Sequence, residues 1–209
     1  MTKLLYIFDL DGTLVDAYGA IHKSLNATRK KFGYSPISFS VVKNTVGKGD
    51  ALFIKVFFKP QETGAALEFY RKVHVKDLGR HCRVLPYGLS LLKRLKKQGK
   101  IVAMATNRPR IYTGLIVKKL GILKYFDKIL CADEINSLKP RPKILNLIIK
   151  QFKVKKSQAV YLGDMDIDME AAARAKIDAI FMAGGSSPLN CAGNNKIAYS
   201  LKEVIGLYE

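Results

Sequence analysis

The chain has 209 residues, 48% of them apolar, which is enough for one good core or a core plus a small second module. That composition excludes a disordered chain, and no apolar stretch is long enough to span a membrane. The 36 basic residues outnumber the 17 acidic ones, giving a net charge of +19, so anionic partners are favoured, whether small or polymeric.

Leu4–Phe8 is a short apolar run that reads as a buried strand. It ends in acids and Lys3 is the single basic residue before it, so it is not expected to be a secretion signal. Residues 17–83 contain no clear buried strand. They read as helices over Tyr18–Phe32, Gly49–Phe58 and Thr63–Leu78, with breaks at Tyr34-Ser35-Pro36 and Lys59-Pro60. Asp16 is expected to cap the first of them. Pro86-Tyr87-Gly88 marks a return to alternating elements. Four further buried strands are expected at Ile101–Ala105, Lys128–Ala132, Ala159–Leu162 and Ala179–Met182. Helices are expected at Gly88–Lys97, Arg110–Leu120, Pro142–Phe152, Asp168–Ala175 and Leu201–Tyr208. The alternation predicts an α/β protein: a Rossmann-like, doubly wound parallel sheet built from residues 1–16 and 84–209, with a helical insertion over 17–83.

Cys82, Cys131 and Cys191 are odd in number, far apart and without metal-type spacing, so a reducing cytoplasm is the expected setting. Cys131 reads as a strand-core residue. Leu78 to Phe126 carries Lys and Arg but no Asp or Glu. A solvated basic face, attraction of anionic substrates and nucleic-acid binding all fit that charge. No RNA-binding motif with interleaved aromatics and no zinc finger accompanies it.

In open α/β sheets, ligands bind beyond the carboxyl ends of the strands. The first strand ends in Asp9-Leu10-Asp11-Gly12-Thr13 and the second in Thr106-Asn107. The third leads to Lys139-Pro140, and the fourth ends in Gly163-Asp164 with Asp168 four residues on. Three acids, a hydroxyl and a lysine at one edge suit phosphoryl transfer to a carboxylate, which splits one hard step into two. A carboxylate and a phosphate repel by about 4 kcal/mol per charge pair at an effective dielectric of 20, so positive charge must offset them. A Mg²⁺ held by Asp9 and Asp164 would do so, and Lys139 would add a compact cation. Thr106 can donate to phosphoryl oxygens. Asp11, on the same side of the chain as Asp9, is placed to protonate a leaving alkoxide and then activate water.

These four motifs, in order and at this spacing, resemble those of the haloacid dehalogenase-like hydrolase superfamily over nearly the whole chain. The resemblance implies Asp9 as nucleophile, Asp11 as general acid and base, and Thr106, Asn107 and Lys139 as phosphate binders. It implies Mg²⁺ between the Asp9 side chain, the Asp11 backbone carbonyl and Asp164, with Asp168 orienting Lys139 or a metal-bound water. The insertion resembles the helical cap of these enzymes. Dehalogenases of the superfamily lack the second aspartate, so Asp11 points to phosphate chemistry. Lys139 weighs against the phosphonate-cleaving relatives, although lysines abound in the insertion.

The stretch Thr45–Leu52, the entry Pro86-Tyr87-Gly88 and the run Ala105–Pro109 are similar to the phosphoglycolate phosphatases. That implies a phosphomonoester hydrolase for a small anionic metabolite such as phosphoglycolate, with Lys48 either meeting a second anionic group or lying solvated in a turn. β-Phosphoglucomutases are the alternative, for which His22 would be the residue of interest; it reads more simply as a helix residue. A basic nucleic-acid-associated protein is the other alternative. Arg108 and Arg141 are expected to be surface charges or to steer anions, and Asp166 to be a polar turn residue.

Overall fold

The computed structural model describes residues 2–208. In chain order the elements are β1 (Leu5–Phe8), β2 (Val15–Asp16), α1 (Tyr18–Lys31), α2 (Phe39–Lys43), α3 (Asp50–Phe57), α4 (Thr63–His81) and β3 (Arg83–Val84). There follow α5 (Gly88–Lys97), β4 (Ile101–Thr106), α6 (Arg110–Lys119), β5 (Lys128–Cys131), α7 (Ala132–Ile135) and α8 (Lys143–Phe152). The chain then adds β6 (Ala159–Gly163), α9 (Asp166–Ala175), β7 (Asp178–Met182) and β8 (Lys196–Ala198).

Six strands form one parallel sheet in the order β5-β4-β1-β6-β7-β8. The chain winds outward from β1 in both directions, so the strand order reverses beside β1. Phe8 is paired with Met104 on one side and Leu162 on the other, which brings Asp9, Thr106 and Asp164 to one edge. The two-residue period of the strands separates two cores. Tyr6, Phe8, Val102, Met104, Val160 and Leu162 pack on one face with residues of α5 and α6. Leu5, Ile7, Ala103, Ala105 and Tyr161 pack on the other with α8 and α9. Burial on both faces explains why the strands read as unbroken apolar runs.

Helices α1 to α4 carry a third apolar cluster that includes Ile21, Leu25, Phe53, Ile54, Phe57 and Tyr70. This helical segment leaves and returns through a two-stranded antiparallel ribbon, in which Val15 pairs with Val84 and Asp16 with Arg83. Ala17 rather than Asp16 occupies the cap position of α1, but the Asp16 carboxylate one residue earlier accepts the Tyr18 backbone N–H at 3.3 Å and also pairs with Arg83 at 2.9 Å.

Three differences from the sequence expectations have physical causes. The ribbon and β8 have only two or three residues per strand, too few for an alternation to show. Leu201–Tyr208 forms successive tight turns rather than a helix: Glu203 N–H bonds Ser200 O and Tyr208 N–H bonds Ile205 O, both three residues back. Leu201, Val204 and Ile205 are nevertheless buried, so the helical spacing of apolar residues marked a packed face without a helix. No helix among the described residues is long and apolar enough to cross a membrane.

Candidate active site

Asp9 follows β1 directly, and its backbone N–H bonds Leu162 O at 2.8 Å, which fixes it at the sheet edge. Its side chain is almost fully buried against Lys139, with Lys139 Nζ donating to Asp9 Oδ1 at 2.7 Å. The same ammonium donates to Asp168 Oδ1 at 2.7 Å and to the Tyr161 hydroxyl at 2.8 Å. All three donors of Lys139 are therefore used. Burial alone would lower the Lys139 pKa, but Asp168 and Asp9 outweigh it and hold the ammonium charged. Asp168 lies in the first turn of α9 and also accepts the Met165 backbone N–H at 3.1 Å, so it ties its helix to the lysine.

Asp164 follows β6 and is completely buried. Thr13 Oγ1 donates to its Oδ1 at 3.2 Å, while the Tyr18 hydroxyl at 2.9 Å and the Ser186 backbone N–H at 2.7 Å reach its Oδ2. Gly12 is the residue that lets this happen. It has φ +78°, and a Cβ there would lie 2.1 Å from the Tyr18 hydroxyl and 2.4 Å from Asp164 Oδ2.

Oxygens of Asp9, Asp164 and Asp168 lie within 4.8 Å of one another. Three buried acids thus share one lysine, and Lys139 reaches only two of them. Burial, Asp168 and Asp9 push the Asp164 pKa up to about 7. Burial and Asp9 raise Asp168 to about 6 against the pull of Lys139, and burial raises Asp9 as well. An all-oxygen donor set with a deficit of positive charge fits a hard divalent cation such as Mg²⁺.

Asp11 is placed differently from its neighbours. Its carboxylate is gripped by Arg108, with Nε at 2.6 Å from Oδ2 and Nη2 at 3.0 Å from Oδ1. Arg108 is buried, which corrects the expectation of a surface charge. A third bond runs between Arg108 Nη1 and His74 Nε2 at 2.9 Å. Burial and the adjacent guanidinium lower the His74 pKa to about 2, so the imidazole is neutral and Nε2 accepts. Its Nδ1 then faces Ser24 Oγ at 2.9 Å, and Ser24 bonds Asp77 at 2.8 Å. The chain of contacts runs from the sheet edge into α1 and α4.

Thr106, Asn107 and Lys139 line the same cavity as Asp9 and Asp11, and the cavity holds about 70 Å³. Thr106 Oγ1 accepts the Arg108 backbone N–H at 3.1 Å, which leaves its own proton for a ligand. The Asn107 amide is used differently. Its Oδ1 accepts Lys139 N–H at 2.8 Å and its Nδ2 donates to Gly47 O at 2.8 Å, so it joins the lysine loop to the insertion. Lys48 is exposed and does not line the cavity, although Gly47 and Gly49 on either side of it do. His22 bonds Ile37 O at 2.9 Å, within the helical segment. Arg141 is exposed, and Asp166 Oδ1 accepts the Ile167 N–H at 2.8 Å as a turn residue. Cys131 is buried at the end of β5.

Sequence reasoning passed over Tyr18, His74, Tyr161 and Ser186. Nothing local marks a tyrosine or a histidine inside a helix as a partner of a distant carboxylate. Arg108 did carry a signal, since it sits two residues beyond Thr106 at a strand end.

A buried carboxylate beside a lysine, a second acid two residues on and a cluster of three buried acids form an arrangement that suits a hydrolase of the phosphatase type. A family model described as haloacid dehalogenase-like hydrolase matches residues 6–182, and the chain belongs to that family, among its phosphatases. It is 24% identical over 211 residues to a phosphoglycolate phosphatase of Rhodobacter capsulatus, covering 97% of this chain and 95% of that protein. It is 29% identical over 188 residues to one from Agrobacterium fabrum, covering 87% and 81%. Among solved structures, one described as a predicted phosphoglycolate phosphatase from Haemophilus somnus superposes with TM-score 0.93 at 22% identity, over 100% of this chain and 99% of that one. CbbY from Rhodobacter sphaeroides, solved in complex with phosphate, gives 0.82 at 21% identity, over 97% and 96%. At those identities the structures establish the fold.

Proposed function

We propose that this chain is a Mg²⁺-dependent phosphomonoesterase that acts through an aspartyl-phosphate on Asp9 and takes a small anionic ester of the phosphoglycolate kind. The observation that carries this reading is the Asp9–Lys139 pair at 2.7 Å, beside Asp164 and Asp168 and open to a cavity shared with Asp11 and Thr106. The names of the relatives support the substrate class.

In the first step an Asp9 carboxylate oxygen forms a bond to phosphorus while the ester P–O bond breaks. Asp11 enters this step as the carboxylic acid, gives its proton to the leaving alkoxide and is left as the carboxylate that Arg108 holds. In the second step Asp11 takes a proton from water, whose oxygen attacks the same phosphorus, and the Asp9 carboxylate leaves with inorganic phosphate released. Lys139 and the Thr106 hydroxyl meet the phosphoryl oxygens, and the Asn107 backbone N–H can add a donor. Asp9 and Asp164, with the Asp11 backbone oxygen, would hold Mg²⁺, which supplies charge against the repulsion between carboxylate and phosphate. Asp168 keeps Lys139 aimed and charged.

On this reading residues 1–16 and 84–209 form the catalytic domain, and 17–83 form a cap that closes the site from water and sets selectivity. The setting is the cytoplasm, in keeping with three unpaired cysteines. The phosphomutase alternative gains nothing from His22, whose contacts stay within the cap.

Release of inorganic phosphate from a panel of phosphate esters, with and without EDTA, tests the proposal. Mg²⁺-restorable release, strongest for small anionic esters, is expected. Turnover indifferent to chelation would remove the metal assignment, and absence of turnover on every ester would remove the activity.

A further inference from the structure

We propose that Arg108, steadied by His74, is the residue that selects a carboxylate on the leaving group of the substrate. The inference rests on the phosphomonoesterase reading and narrows it to esters of short hydroxy acids.

Lys139 and Arg108 are the two lysine or arginine side chains lining the cavity among the described residues. Lys139 is held at the phosphoryl end of the site by Asp9, Asp168 and Tyr161. Arg108 has donors to spare. A guanidinium has five N–H donors, and its bonds to Asp11 and His74 use three of them. The two that remain belong to Nη1 and Nη2, a fork that matches a carboxylate.

Arg108 also stands on the right side of the reaction. Asp11 handles the proton of the leaving oxygen, so the leaving group lies on the Asp11 side of phosphorus. Arg108 contacts Asp11, so its free donors are close to that group. The cavity is also lined by Asp50, Phe53, Tyr70 and Tyr112, so beside Arg108 its walls are mostly aromatic. A short leaving group with a terminal carboxylate satisfies the fork while its ester oxygen stays beside Asp11. A sugar offers no charge to that fork.

His74 is a positioning residue in this scheme. A neutral ring accepts one Nη1 hydrogen and stacks on Tyr70, with ring centroids 4.9 Å apart. It therefore fixes the plane of the guanidinium without adding a competing charge.

The test compares kcat/KM for 2-phosphoglycolate with that for ethyl phosphate, which has a similar carbon skeleton but no carboxylate. The wild-type protein is expected to prefer the first by about 100-fold, the scale of a charge-assisted pair. In Arg108→Met that preference is expected to fall to within about threefold of unity, and in Arg108→Lys to about 10-fold, since the charge stays and the fork is lost. Loss of help to Asp11 would slow both substrates alike and leave their ratio unchanged, so an unchanged ratio in both variants overturns the proposal. Equal use of the two esters by the wild type also overturns it, while leaving the phosphatase reading intact. Failure of the wild type to hydrolyse either ester or any other phosphate ester would instead sink that underlying reading. Arg108→Lys keeps the buried charge and so serves if Arg108→Met does not fold.

Discussion

The two acids at the end of β1 stand in opposite electrostatic surroundings. Asp9 belongs to a cluster in which three buried carboxylates share one lysine. Asp11 belongs to a cluster in which one carboxylate meets one guanidinium across two hydrogen bonds. The first is short of positive charge and the second is balanced. An imbalance of that kind in a buried site is costly unless something arrives to relieve it, so the Asp9 cluster reads as a place for a cation and a reacting phosphate. The balanced cluster is a holding arrangement, in which Arg108 fixes the Asp11 side chain. Two residues of separation, with Leu10 between, suffice to give the acids different work.

The largest effect should come from removing the nucleophile. Asp9→Asn keeps the shape and one oxygen but cannot form the covalent intermediate. Turnover of a generic phosphate ester is expected to fall by about 10⁴-fold or more, the scale seen when a covalent nucleophile is lost. The melting temperature is not expected to fall, because one of three crowded negative charges is gone. Substantial residual activity would mean that Asp9 is not the attacking group, and the contrast with Asp11 would collapse.

Next is Lys139→Met, which takes the cation away from two buried acids. Breaking a buried pair in this way costs about 3–5 kcal/mol. The expected loss should be smaller at acid pH, where Asp9 and Asp168 take up protons. Urea denaturation at two pH values would show this. A loss below about 1 kcal/mol at every pH would mean that the cluster is not charge-starved.

The third prediction concerns pH and metal. Asp164 has its pKa raised to about 7 by burial, Asp168 and Asp9, whereas in the unfolded chain it ionises near 4. Between those values the folded state binds more protons than the unfolded state, so the contribution of Asp164 to stability declines as pH rises. Asp164 is therefore expected to make the metal-free protein melt at a lower temperature near pH 8 than near pH 5. A fixed Mg²⁺ concentration, set at about 100 times the Kd at pH 8, should return about 2.7 kcal/mol at that pH. That gain should grow with pH, because the cation competes with protons for the same oxygens. Thermal melts with and without Mg²⁺ decide it, and a gain that does not vary with pH would break the link between Asp164 and the metal.

How much of this could be read in advance depends on how local each signal was. The five long strands were legible because burial on both faces leaves continuous apolar runs, and Asp9, Thr106, Lys139 and Asp164 were legible because strand ends converge. The ribbon and β8 were too short to leave a pattern. Leu201–Tyr208 shows the opposite failure, where a helical spacing of buried residues was met by turns. The partners of the site acids were hidden for a different reason. Tyr18 reaches Asp164 across 146 residues, and Arg108 reaches Asp11 across 97, so their roles exist only once the chain is folded. Asn107 shows that a residue at the right place can be put to another use: its amide joins two loops.

The smallest expected effect lies outside both clusters, at the ribbon where the helical segment meets the sheet. Arg83 pairs with Asp16 at 2.9 Å, but the arginine side chain is 80% exposed and the aspartate 25%. An ion pair in that setting contributes about 0.2–1 kcal/mol, so Arg83→Ala should lower stability by no more than that, and less in high salt. Asp16→Ala should cost more, by about 1 kcal/mol, because it also loses the bond to Tyr18 N–H at the start of α1. Denaturant melts of the two variants at low and high salt separate the contributions. The part of the Asp16 loss that salt does not erase belongs to the helix start. If salt erased all of it, the ribbon would be held by charge alone, and the local bond between Asp16 and α1 would contribute nothing measurable.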